Sequence, residues 1–251
     1  MKKTVLALGL ALMTAGSAYA TGFTNGGFES GNLSGWTGGG GTWTGSPAAP
    51  ANPSIFNGGP SNNTIMTGGV DPITGANRVY SGNYSVRAND NISNYSVSTL
   101  RQTVTNYTDN AIYFAWDAVL QGSHGLTDSD YFSLTLTDDT THTTIVNRAY
   151  SSAGAIGGGA SGVTWTSFGG WLSSGWIVES INLADLNAIG HDFTLTLLAS
   201  DCPYGGHAGY VYLDGFGARI PPTDVPEPGS LALLGLGIAG LASLRKRKNA
   251  A

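Results

Sequence analysis

The segments YFSLTLT at residues 131–137 and FTLTLLA at residues 193–199 decide the fold. Phe132, Leu134 and Leu136 alternate with Ser133, Thr135 and Thr137, and in the second segment Phe193, Leu195 and Leu197 share one face. A strand turns successive side chains to opposite faces, so an apolar period of two predicts half-buried strands. Further runs at 84–88, 100–104, 112–119, 144–150, 176–183 and 210–213 are rich in β-branched and aromatic residues, with Gly, Asn, Asp and Ser clusters between them. No long helical period interrupts them, and residues 182–190 have room for one helical turn at most. Many short strands with turn punctuation predict an all-β fold, an antiparallel sandwich of two sheets. The glycine-rich stretches 38–41, 57–69 and 153–162 read as loops, because glycine adds chain entropy and no side chain to bury.

Both ends of the chain differ from this middle. Met1, Lys2 and Lys3 precede a short apolar core, and Ala18-Tyr19-Ala20 forms a small-x-small cleavage site after Ala20, so residues 1–20 read as a signal peptide. At the other end Val225, Pro226, Glu227 and Pro228 lead into an uncharged apolar run at 229–244, followed by Arg245, Lys246, Arg247 and Lys248. As a helix that run would reach about 24 Å, slightly short of the roughly 30 Å hydrocarbon core but able to span with flanking help. The basic cluster stays in the cytoplasm, which puts the bulk of the chain across the membrane.

The triplet, short span and basic cluster, in that order, resemble the PEP-CTERM tail of exported bacterial proteins. That resemblance implies processing by the membrane enzyme exosortase, an inner-membrane intermediate, and a final place at the cell surface or in an extracellular polysaccharide or biofilm matrix. The expected layout is a signal peptide at 1–20, an ectodomain at 21–220, a linker at 221–224 and a sorting segment with one transmembrane helix at 225–251. The span 21–224 is long enough for a single sizeable core.

Within 21–224 five arginines and no lysine face fifteen carboxylates, a net charge of −10 that the whole-chain value of −5 conceals. So acidic a domain repels a phosphate backbone, which excludes nucleic acid as a partner. The single cysteine, Cys202, rules out an intramolecular disulfide and reads as a small buried residue or as a thiol for an intermolecular link.

Four segments then occur in register: TNGGFESGNLSGWT at 24–37, SGNYSVRA at 81–88, LRQTVTNYTDNAIYFAWDA at 100–118 and YVYLDGFGA at 210–218. Together they resemble jelly-roll carbohydrate-binding modules of the CBM4/9/22 type, although Gly215-Phe216 departs from the usual closing strand and 38–80 matches nothing in that pattern. If Phe28 is buried, Glu29 points outward and the last strand brings Asp214 towards it, so two carboxylates converge. The resemblance implies a structural calcium ion held by Glu29, Asp214 and backbone carbonyls near Gly26. The alternative is that Glu29 is an edge carboxylate, solvated or bonded to N–H groups, and Asp214 a turn residue. Asp128-Ser129-Asp130 and Asp138-Asp139 are weaker cation candidates; both read as polar hairpin tips, the second falling between two strands, so a turn explains it without an ion.

A planar ring stacks on the apolar face of a pyranose. Trp43, Trp165, Trp171, Trp176 and Tyr204, beside loops, are the candidate carbohydrate-binding residues, whereas Trp36 and Trp116 read as core. The chemistry of an enzyme is thin. Only Glu179 could join an aspartate as a glycosidase pair, and its alternation with Val178 and Ser180 predicts a surface position. There is no GxSxG elbow, and His124, His142, His191 and His207 lie in loop contexts without ligand spacing. The expectation is a non-catalytic, carbohydrate-binding-like sandwich. A purely structural matrix protein is the alternative, and a polysaccharide hydrolase the more distant one.

Overall fold

A computed structural model of the chain describes residues 22–44, 53–122, 124–125, 128–156 and 162–217. The expected signal peptide with Ala18 and Ala20, the linker, and the sorting segment from Val225 to the basic cluster lie outside the described residues. Among the described residues no helix is long and apolar enough to cross a membrane.

The described strands are β1 (Thr37–Thr42), β2 (Thr64–Thr67), β3 (Tyr84–Ala88), β4 (Ser96–Val104), β5 (Ala111–Gln121), β6 (Tyr131–Asp138), β7 (Thr143–Ser151), β8 (Thr166–Phe168), β9 (Trp171–Ser173), β10 (Ile177–Asn182), β11 (Phe193–Ser200) and β12 (Gly209–Gly217). They form two sheets in which every pairing is antiparallel. One has the order β1-β4-β11-β6-β7, and the other runs β2-β3-β12-β5-β9-β8 with β10 also paired to β5. The described residues form an all-β sandwich of two antiparallel sheets, as the periodicity predicts. Residues 183–187 make turns and no helix.

The two segments with the cleanest alternation are neighbours, with Leu195 opposite Leu136 and Leu197 opposite Leu134. Their apolar face, together with Leu100 and Phe132, packs against Ile112, Phe114, Trp116, Val86, Val211 and Leu213 of the second sheet, all buried. This is the inter-sheet core, and large aromatic side chains dominate it. At one edge Phe28 is fully buried and stacks on Trp36 with ring centroids 5.1 Å apart. Gln102 clamps the N-terminal loop by donating through Nε2 to the Thr24 and Gly35 carbonyls at 2.8 and 2.9 Å.

Four expectations need correction, the first two being loops that are partly ordered elements: Thr64–Thr67 within 57–69 is β2, and Ser152–Ile156 at the start of 153–162 is a short helix, α1. Residues 38–41 are not a loop: they belong to β1, paired with β4 from Thr37 opposite Arg101 to Thr42 opposite Ser96. Glycine is needed there because residues 56–61 lie directly across the strand. A Cβ on Gly39 would strike the Phe56 carbonyl, and one on Gly40 the Pro60 carbonyl. Glu179, in turn, is buried and not at the surface. It accepts from Trp116 Nε1 at 3.0 Å, and its two carboxylate oxygens accept from Arg148 Nε and Nη2 at 2.7 and 2.8 Å. This fork-on-fork pair joins the sheets through β7 and β10 and satisfies the core tryptophan. Asp138 is the turn residue the sequence suggests, its Oδ1 accepting from the amides of Thr140 and Thr141.

Candidate functional site

Strand alternation sends Val211 and Leu213 into the core and leaves Tyr210 and Tyr212 on the outer face of the second sheet. There they form a floor with Met66 and Val119, bordered by Ile73, Trp171 and Trp176. The rings form a continuous series. Trp171 lies 5.9 Å from Tyr210, Tyr210 lies 5.7 Å from Tyr212, Tyr212 lies 6.2 Å from Trp176, and Trp176 lies 5.4 Å from Tyr80. Tyr210 and Tyr212 are buried, whereas Tyr80 and both tryptophans keep part of their surface open.

Polar groups are set into this aromatic floor. Tyr212 sits between Arg87 on β3 and Asp117 on β5. The Arg87 guanidinium lies 5.6 Å above the Tyr210 ring, and Asp71 accepts from both tyrosine hydroxyls at 2.7 Å. Burial pushes the Asp71 carboxyl up, but the bonds from Tyr210, the Thr74 amide, Tyr212 and the Ile73 amide outweigh it and hold the group below its ordinary pKa. Asp71 is therefore an anion in the fold, and the tyrosine hydroxyls are held protonated by burial and by that anion. Asp117 is pushed up to about 6 by burial, against hydrogen bonds from Ser173 and Ser174. The face thus presents aromatic rings and the Arg87 guanidinium, while the Asp71 and Asp117 carboxylates are buried and accept from the tyrosines and from Ser173 and Ser174.

The five candidate aromatics separate. Trp171 and Trp176 share this face, and Trp176 Nε1 donates to the Asn77 carbonyl at 2.8 Å. Trp43 is buried on the outer side of the other sheet with Val97 and Leu198. Trp165 packs edge-on to Tyr150 at 5.6 Å against the core, and Tyr204 is exposed at one end of the sandwich. Trp36 and Trp116 are core. Arg87, Asp71 and Asp117 escaped the sequence reading. Period-two alternation in YVYLD could have found the outward tyrosines, but the partners from β3, β5 and the 68–80 loop depend on register.

The candidate cation site lies further along the row occupied by Tyr210 and Tyr212. Asp214 Oδ2 accepts from the amides of Tyr80 and Ser81, both at 2.9 Å, while Oδ1 is buried with no hydrogen-bond partner. Burial pushes Asp214 up to about 7, with the nearby Glu29 carboxylate adding to the effect and the amides of Ser81, Tyr80 and Gly215 opposing it. Glu29 accepts from the Asn83 and Tyr84 amides, and Gly26 O accepts from Phe216 N at 3.1 Å. Gly27 faces both groups: a Cβ there would lie 3.8 Å from Asp214 Oδ1 and 3.9 Å from Glu29 Cγ. An unpartnered Asp214 oxygen with the Glu29 carboxylate nearby fits a hard, oxygen-seeking cation.

Residues 224–248 match the PEP-CTERM protein-sorting motif. The chain therefore carries the tail of an exported protein that is processed at the membrane. No curated protein matches the chain. Among solved structures it is similar to TmCBM61 in complex with β-1,4-galactotriose, at 12% identity over 78% of this chain and 96% of that one, with a TM-score of 0.40. It is also similar to CBM27-1 of Caldicellulosiruptor saccharolyticus in complex with mannohexaose, at 10% identity over 77% and 94%, TM-score 0.39. A third is the K2 adhesin domain of Lys-gingipain, at 14% identity over 76% and 93%, TM-score 0.38.

Proposed function

We propose that this exported protein is a non-catalytic binder of neutral extracellular polysaccharide, with the sugar seated on the Trp171–Trp176 face. The observation that carries this reading is the continuous row of rings, flanked at Tyr212 by Arg87. Rings take the apolar face of a pyranose, and a guanidinium beside them takes its hydroxyls. The acidity of the domain favours a neutral glycan over an anionic one. Exosortase is the processing partner in this reading, the inner membrane the intermediate station, and the surface or biofilm matrix the destination. A structural calcium ion held by Glu29, Asp214 and the Gly26 carbonyl would stiffen the loop that closes the N-terminal edge.

The engagement of Glu179 with Arg148 and Trp116 leaves it without the free carboxyl that a glycosidase acid needs, which weighs against the hydrolase reading. A glycan array tests the proposal. Wild-type protein should bind a neutral polysaccharide, and Trp171→Ala should weaken it about tenfold, the loss of one stacked ring. Leu186→Ala, an exposed position elsewhere, should bind as wild type. Absence of binding across neutral glycans would favour a purely structural matrix protein, and hydrolysis that Glu179→Gln abolishes would make the protein an enzyme.

A further inference from the structure

At one end of the sandwich the connection from β5 to β6 meets the connection from β11 to β12, and there ligand-capable atoms of His124, Cys202 and His207 all lie within 4.8 Å of one another. Cys202 and His207 close a tight turn: Cys202 N donates to His207 O at 3.1 Å and Gly205 N to Cys202 O at 3.2 Å. Gly205 and Gly206 take φ values of +84° and +87°, which side chains rarely adopt. The turn therefore holds the cysteine and histidine in a fixed relation. Tyr204 N donates to Cys202 Sγ at 3.3 Å, and Sγ in turn lies 3.6 Å from the Gly205 carbonyl, so the turn fixes the sulfur on both sides. The rings of His124 and His207 lie 5.0 Å apart at 89°, and the buried Nδ1 of His207 has no hydrogen-bond partner.

We propose that His124, Cys202 and His207 form a binding site for a divalent transition-metal ion of the zinc type, with Sγ as a thiolate ligand and one ring nitrogen from each histidine. Thiolate with imidazole selects borderline and soft metals and rejects calcium and magnesium, so this site is chemically distinct from the Glu29–Asp214 pair. Tetrahedral zinc, with bonds of about 2.0–2.3 Å, needs its ligand atoms about 3.3–3.6 Å apart. Closing the present arrangement takes a movement of about an ångström, which His124 can supply because it is exposed and anchored in a loop. Three protein ligands leave the fourth position open to water or to a ligand from outside. Binding converts thiol to thiolate and releases that proton to solvent.

Cobalt(II) is the probe, because its spectrum reports both thiolate ligation and tetrahedral geometry. The full-length chain in mild detergent, reduced and freed of metal, is titrated with cobalt(II) alone and then with zinc(II). The expected result is one cobalt per chain, with a sulfur-to-cobalt charge-transfer band and visible bands of tetrahedral intensity, both removed by an equivalent of zinc. Cys202→Ser should lose the charge-transfer band. His124→Gln, at an exposed position and so expected to melt as wild type, should weaken cobalt binding about tenfold or more. No cobalt uptake by folded wild type, uptake without a sulfur band, or equal affinity in His124→Gln would each overturn the proposal.

Discussion

Gly40→Ala is expected to cost about 3 kcal/mol, the upper range for forcing extra atoms into a packed interior, and to lower the melting temperature by about 6–12 °C for a domain of this size. The new methyl group would meet the Pro60 carbonyl on one side and, 2.6 Å away, the Val97 carbonyl on the other. Neither obstacle is the free end of a flexible side chain, so relief requires β1 to separate from β4 or the 56–61 segment to lift from both. Lifting that segment also threatens the bond from the Asn62 amide to Ser98 Oγ and the bond from Asn63 Nδ2 to the Thr99 carbonyl, at 2.9 and 2.8 Å. Gly68→Ala is the control, since a Cβ there meets nothing within 4 Å. Differential scanning calorimetry of the two variants checks the expectation; equal melting temperatures would mean that β1 is not pinned in this way.

In chelator, raising the pH from about 4 to about 7 is expected to destabilise the protein. Asp214 is held at about 7 in the fold, against an ordinary value of 3.8, so between those values the native state binds the proton and the unfolded chain does not. Stability is then fully present below pH 4 and falls as the pH rises through the folded pKa, by on the order of 4 kcal/mol for this group. Asp117 and Asp201, both pushed up to about 6 by burial, act in the same direction in the lower part of the window. Calcium should oppose the loss, because an ion bound only by the folded state compensates the ionised Asp214 and Glu29; at a hundred times its dissociation constant it would restore about 2.7 kcal/mol. Asp214→Asn keeps an oxygen for the Tyr80 and Ser81 amides, and should flatten the upper part of the pH profile and abolish the calcium response. Thermal melts from pH 4 to 8, with chelator and with calcium, carry the test. A flat profile in chelator would contradict the burial argument, and a melting temperature indifferent to calcium at pH 7 would remove the ion.

The strands with a polar and an apolar face were legible because period-two alternation records burial on one side only. Tyr131–Asp138 shows this, whereas its neighbour Phe193–Ser200 is buried on both faces although its sequence alternates. β1 was hidden for the opposite reason. Its TGGGGT sequence carries no apolar pattern, and its strand geometry is imposed by close approach of another backbone, which only glycine tolerates. Glu179 misled because alternation on a strand distinguishes faces and does not reveal an arginine reaching across from another sheet. Among the aromatics, composition identified Trp171 and Trp176 and also three rings that register sends elsewhere. His124, Cys202 and His207 were invisible as a group, since the first lies 78 residues before the second and only the meeting of two connections joins them.

Both terminal segments are addresses in this account, and the sandwich between them works outside the cell. Intact-mass measurement of the mature protein recovered from its native host tests that claim directly, because a single spectrum reports both termini. The predicted chain begins at Thr21 and has lost the residues beyond the Pro226-Glu227-Pro228 triplet. A soluble cytosolic chain still carrying Met1 and Ala251 would contradict it.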